Sequence, residues 1–167
     1  MQKSWSVRRA AVVAVLMAMN VALSSFSIPV PGGHLYFNDV VIVAAALLLY
    51  PSEAFVVGGV GAFLGDFLFY PAPMFVSLFS HGFEALIISY FAHKFAGEQK
   101  KVILGIFIGA AVMVTGYTLG RAFIYATPAI SLVKFPFECL QAAIGAGLGY
   151  NLVYHAGIEK RFQHRLR

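Results

Sequence analysis

A single cysteine, Cys139, in a chain of 167 residues excludes an intramolecular disulfide, and no Cys/His cluster has the spacing of a zinc site. The chain has no G-x-x-x-x-G-K-[ST] phosphate loop, which excludes nucleotide binding of that kind. It has neither the G-x-S-x-G elbow of a serine hydrolase nor the H-E-x-x-H pair of a zinc protease. His81 with Glu84 could still make an acid–base pair for an intramembrane enzyme. Charge is scarce as well, at 11% of residues, with seven acids against twelve lysines and arginines.

Apolar residues are abundant instead. They make up 60% of the chain, and the mean hydropathy is +0.80, far more than a water-soluble core could cover. Several apolar runs approach the roughly 20 residues that one helix needs to cross a bilayer. The pattern predicts an all-α integral membrane protein, a single domain over residues 1–167. Six transmembrane helices are expected at about 9–26, 39–50, 52–69, 73–95, 101–125 and 129–158. Pro51 and Pro71 mark breaks, and Pro136 is expected to kink the last helix or delay its start. The basic-then-apolar N-terminus reads as a retained first helix, because no soluble domain follows for a signal peptide to export.

Under this layout ten of the twelve basic residues fall on one side: Lys3, Arg8, Arg9, Lys94, Lys100, Lys101, Lys160, Arg161, Arg165 and Arg167. The positive-inside rule then makes both termini cytoplasmic, in a cell membrane crossed several times, and turns the IPVPGGHLYFND segment outward. The net charge of +5 is thus a topology signal and not a nucleic-acid footprint.

Polar residues gather in the predicted outer half. Ser77, His81 and Glu84 follow i, i+4, i+7; Lys134, Glu138 and Gln141 do the same; Tyr117, Arg121 and Tyr125 recur every four residues. Each trio lies on one helix face. Ionisable groups in lipid turn to a protein interior or a watery cavity. With Tyr36, Asn38 and Asp39 at the rim, the three stripes suggest an outward pocket with aromatic walls. Structural ion pairs, such as Arg121 with Glu138 or Lys134 with Glu84, are the competing reading. Asp66 and His34 are open between pocket and structural roles, and Asn151 reads as structural. Gly58, Gly61 and Gly65 lie on or near one face and imply close helix contact. Ala10, Ala14, Ala18 and Ala22 form a small-residue ridge on helix one, suited to packing inside the bundle or to another membrane subunit.

These segments carry a resemblance. AVVAVLMAMNVAL, IPVPGG, NDVVIVAAALLLYPSEAFVVGGVGAFLGDFLF and APMFVSLFSHGFEALI resemble the substrate-binding S component of an energy-coupling factor (ECF) vitamin transporter, of the riboflavin and hydroxymethylpyrimidine type, over about residues 5–95. The resemblance implies a six-helix bundle that captures a vitamin from outside. It implies association, through Ala10, Ala14 and Ala18, with a transmembrane coupling subunit and two cytoplasmic ATPases. No cofactor is then expected in this chain, ATP being used by the partner subunits, and no chemistry is performed.

Counted as Asp39, Asp66, Glu84 and Glu138 against Arg121 and Lys134, the outer half favours a neutral or hydrogen-bond-donating ring. Hydroxymethylpyrimidine or a pyridoxine-like ring is the first expectation and riboflavin the next, with Glu84 or Glu138 as acceptors and Tyr117 or Tyr125 stacking. A stand-alone proton-coupled secondary transporter is the alternative.

Overall fold

A computed structural model describes residues 6–158; Lys3, Lys160, Arg161, Arg165 and Arg167 lie outside them. Within that range the chain forms six helical segments and one β-hairpin: α1 (Val7–Ser24), β1 (Ser27–Val30), β2 (Gly33–Tyr36), α2 (Asn38–Leu48), α3 (Pro51–Phe69), α4 (Met74–Lys94), α5 (Gln99–Tyr125) and α6 (Pro128–Tyr154). Five of these are long and apolar enough to span a bilayer. The exception is α2: its 11 residues reach only about 16 Å at 1.5 Å per residue, half the thickness of the hydrocarbon core.

Helix α2 is instead the bundle's inner element. Val41, Ile42, Val43, Ala45, Ala46 and Leu47 are all buried, which a helix that is apolar on every side requires. They pack into one core with Val13, Leu49, Ala54, Val57, Ala85, Ile88 and Val153. Glycines let neighbours approach: a Cβ on Gly149 would stand 2.8 Å from that of Val43, and one on Gly58 would stand 2.8 Å from the His81 carbonyl. The outer surface is correspondingly apolar, with Phe107, Phe123, Ile124 and Leu132 all more than 70% exposed, as a lipid-facing surface should be.

Ion pairing marks the end of the bundle opposite the hairpin. Arg9 at the start of α1 donates Nε and Nη2 to Glu53, at 2.8 and 2.5 Å. Glu53 in turn accepts from the Tyr50 amide and caps α3. The Arg9 guanidinium lies 4.5 Å over the Tyr50 ring, whose other neighbour is His93 near the end of α4. One cluster therefore ties three chain segments together.

Several expectations are corrected. The loop after α1 is a two-stranded antiparallel hairpin, in which Pro31 and Gly32 (φ +81°) supply the tight turn. Pro136 does not delay the last helix, because α6 begins at Pro128 and continues through it. Most of the other helix limits move by one to four residues. The glycines of α3 do not share one face, because a π-turn at Val56–Val60 adds a residue and shifts the helical phase. Gly58 and Gly59 meet α4 at His81 and Leu78, whereas Gly61 and Gly65 meet α1 at Asn20 and Ser24. On α1, Ala14, Ala18 and Ala22 are exposed, but Ala10 is half-buried and stands at the edge of that face.

Candidate functional site

Beneath the hairpin lies a cavity of about 500 Å³. The hairpin contributes Gly32, Gly33, His34 and Tyr36; α1 contributes Ser24; α2 contributes Asn38; α3 contributes Ala62 and Asp66; Tyr70 and Pro73 come from the turn that follows. His81 on α4, Tyr117, Arg121 and Tyr125 on α5, and Glu138 and Gln141 on α6 complete the polar wall. A second π-turn, Arg121–Tyr125, ends α5 at the cavity mouth, a local irregularity that recurs where helices carry function.

Eight residues expected at the site therefore line this one space: Tyr36, Asn38, His81, Tyr117, Arg121, Tyr125, Glu138 and Gln141. Three do not. Asp39 and Glu84 lie behind His81, with His81 Nε2 3.6 Å from Asp39 Oδ1 and Nδ1 2.9 Å from Glu84 Oε2. Glu84 is thus not among the cavity-lining residues, its buried carboxylate being engaged by His81. Lys134 is buried below the hairpin turn, where Gly32 packs on its Cβ and Gly33 on its Cε. Its ammonium is 3.6 Å from Glu138 Oε1, so the expected pairing with Glu84 is replaced by one within its own helix.

The wall is internally paired. Arg121 Nη2 donates to Glu138 Oε1 at 2.5 Å. Tyr117 donates its hydroxyl to Ser77 Oγ at 2.5 Å, and Ser77 donates to Asp66 in a very short contact. The His81 and Tyr117 rings meet edge to face at 5.2 Å. Asn38 Nδ2 donates to Asn20 Oδ1, and Asn20 Nδ2 donates to the Val57 carbonyl within the α3 π-turn. Burial pushes the Tyr36 phenol up to about 12, so it stays a neutral donor at physiological pH.

Three polar atoms on the lining residues are buried without a hydrogen-bond partner among the described residues: Arg121 Nη1, Tyr125 OH and Asn38 Oδ1. Buried polar groups are normally satisfied. Two donors and one acceptor are thus available to an occupant, inside walls that also present four tyrosines: Tyr36, Tyr70, Tyr117 and Tyr125.

Asp66 and His34, open on sequence grounds, both line the cavity, as do Ser24 and Tyr70, which lie outside the three polar stripes. Ser24 had a signal, because it follows Asn20 by one helical turn and makes a polar stripe on an otherwise apolar helix. No metal-holding group of three His, Cys, Asp or Glu side chains occurs among the described residues.

Comparison with known proteins places this geometry. Residues 4–160 match the family model of the ECF-type riboflavin transporter S component. An uncharacterised protein of Pyrococcus woesei is 33% identical over 146 residues, covering 84% of this chain and 97% of that protein. In fold, the chain is similar to a solved structure of the S component of a bacterial ECF transporter. The TM-score is 0.75 at 20% identity, covering 90% of this chain and 95% of the other.

Proposed function

Because this chain belongs to the family of ECF-type riboflavin transporter S components, we propose that its cavity captures riboflavin, with the hairpin as lid. Members of that family are integral membrane substrate-binding subunits that work with ECF transmembrane and ATPase modules, and they are not enzymes. Six passes, with cytoplasmic termini and an outward hairpin, belong to this proposal: α2, too short to span lipid by itself, would make its pass buried inside the bundle, from the hairpin end to the Arg9–Glu53 end. Its support is the basic cluster Arg8, Arg9, Lys94, Lys100 and Lys101, all at helix ends away from the hairpin.

The observation that carries the choice of ligand is the cavity's size and lining taken together. About 500 Å³ is a volume suited to a complete small-molecule ligand and exceeds what one substituted pyrimidine or pyridine ring fills. Four tyrosines suit a broad planar ring. Arg121 Nη1 and Tyr125 OH, unpartnered on lining residues, would donate to ring carbonyls, and Asn38 Oδ1 would accept from a ring N–H or a hydroxyl. Because Arg121 is already paired with Glu138, and Asp66 with Ser77, the site favours a neutral vitamin over its phosphorylated form. Hydroxymethylpyrimidine or a pyridoxine-like ring is the second reading, favoured by Asp66 on the wall as an acceptor for an exocyclic amine.

Uptake would follow from capture, docking on the coupling subunit through Ala14 and Ala18 with Ala10 at the edge, and release driven by ATP hydrolysis in two partner ATPases, this chain holding no cofactor of its own. Equilibrium titration of the purified protein with riboflavin, its monophosphate, hydroxymethylpyrimidine and pyridoxine tests the ligand. Tight riboflavin binding, weakened in Arg121→Met, supports the assignment. Tight hydroxymethylpyrimidine binding with no response to riboflavin overturns it.

A further inference from the structure

Gln141 has both ends of its amide engaged by protein. Its Oε1 accepts from the Tyr36 backbone N–H at 2.9 Å, and its Nε2 donates to Asp39 Oδ2 at 3.1 Å. The two partners differ in kind. Tyr36 belongs to the hairpin over the cavity, whereas Asp39 is buried in α2 and faces His81, which leads to Glu84.

The hairpin's own register explains why Tyr36 needs an outside acceptor. Pro29 has no N–H and is paired with His34, so that pair must be a non-hydrogen-bonded one. Bonded and non-bonded pairs alternate along an antiparallel ladder. Val30 with Gly33 and Ile28 with Leu35 are therefore the bonded pairs, and Ser27 with Tyr36 is again non-bonded. The Tyr36 N–H thus points away from β1. A two-stranded ribbon of this length is marginal by itself, so an anchor on the bundle is required to hold it over the cavity, and an orphaned N–H would be costly.

We propose that Gln141 is the latch of the lid: a positioning residue, not a ligand-specifying one, that fixes β2 through Tyr36 and takes its own orientation from Asp39. The lid is thereby joined to the side chain that backs His81 on the cavity wall. This rests on the reading of the hairpin as a lid, and it does not depend on which vitamin binds. It also changes the role that sequence spacing suggests for Gln141, because a side chain bonded at both ends contributes placement more than recognition.

Backbone hydrogen exchange of the ligand-free, full-length protein in a bilayer mimetic tests the latch. Gln141→Leu removes both bonds, and the Tyr36 amide should exchange about ten-fold faster, the factor that corresponds to ~1.4 kcal/mol for one hydrogen bond, with α4 and α5 unchanged. Asp39→Asn keeps an oxygen that can accept from Gln141 Nε2 and leaves the Tyr36 bond in place, so its hairpin should stay within about three-fold of the parent, well under the loss of one bond. In the Leu variant riboflavin release should quicken while association changes little. Unchanged hairpin exchange in Gln141→Leu would overturn the latch, as would equal opening in the Asp39→Asn variant. Failure of riboflavin to bind either variant and the parent would count against the vitamin assignment alone, because the exchange measurement needs no ligand.

Discussion

Arg121 and Glu138 meet at 2.5 Å between α5 and α6, and the same carboxylate oxygen lies 3.6 Å from the buried Lys134 ammonium. Two cations share one acid. Breaking a buried pair by removing one partner leaves an uncompensated charge and costs about 3–5 kcal/mol. Glu138→Gln should therefore lower stability by that order, more than Lys134→Met, which removes the surplus cation. Denaturant unfolding in detergent measures both; equal losses would show that Lys134 is held by something other than Glu138.

The α3 π-turn is set tightly against α4, with any Cβ on Gly59 only 2.6 Å from the Leu78 carbonyl and 3.0 Å from Gly82 Cα. Backbone cannot yield as a flexible side chain can. Gly59→Ala should destabilise the protein by about 1–3 kcal/mol, the usual range for overpacking, whereas Gly147→Ala, which meets nothing within 4 Å, should be nearly neutral. Paired unfolding curves check the contrast.

Glu53 joins Arg9 of α1 to the cap of α3 at the end away from the cavity. Its replacement by alanine should cost about 1.5–3 kcal/mol, the range for hydrogen bonds to charged groups, and leave ligand affinity unchanged. A large loss of affinity with intact stability would place Glu53 in a different role.

The exposed strip Ala14 and Ala18 on α1 offers the close approach that small residues permit between membrane helices. Ala14→Trp should abolish copurification with the coupling and ATPase subunits and leave vitamin binding by the isolated chain intact. Loss of both together would instead indicate packing within this chain's own bundle.

Much of this architecture is legible in the sequence, because lipid makes composition decisive. Apolar length locates all six helices, although it reads α2 as a span that its 11 residues cannot make alone, and i, i+3 and i, i+4 spacing brings His81, Tyr117, Arg121, Glu138 and Gln141 to one cavity. What spacing cannot supply is rotation about each helix axis beyond the first approximation. Glu84 shares a stripe with His81, yet the buried carboxylate turns to the imidazole's far side. Lys134 shares one with Glu138, yet its stem is taken up by the glycine turn of the hairpin.

The π-turns are invisible for a related reason. A single extra residue in α3 separates Gly58 and Gly59 from Gly61 and Gly65, and nothing in the glycine spacing announces it. The hairpin is concealed by its prolines, which usually argue against strands; Pro29 is tolerated because it occupies a pair that needs no N–H. Asp66 was undecided from sequence because its role depends on Ser77, a partner 11 positions away on the next helix.

Riboflavin is the ligand proposed for the cavity beneath the hairpin. The protein purified gently from its native membrane, denatured, and analysed by mass spectrometry for released small molecules tests this most directly. Riboflavin should be recovered in near-equal amount to protein, and less of it from Arg121→Met. Recovery of hydroxymethylpyrimidine or a pyridoxine-type ring in its place, with no flavin, would contradict it.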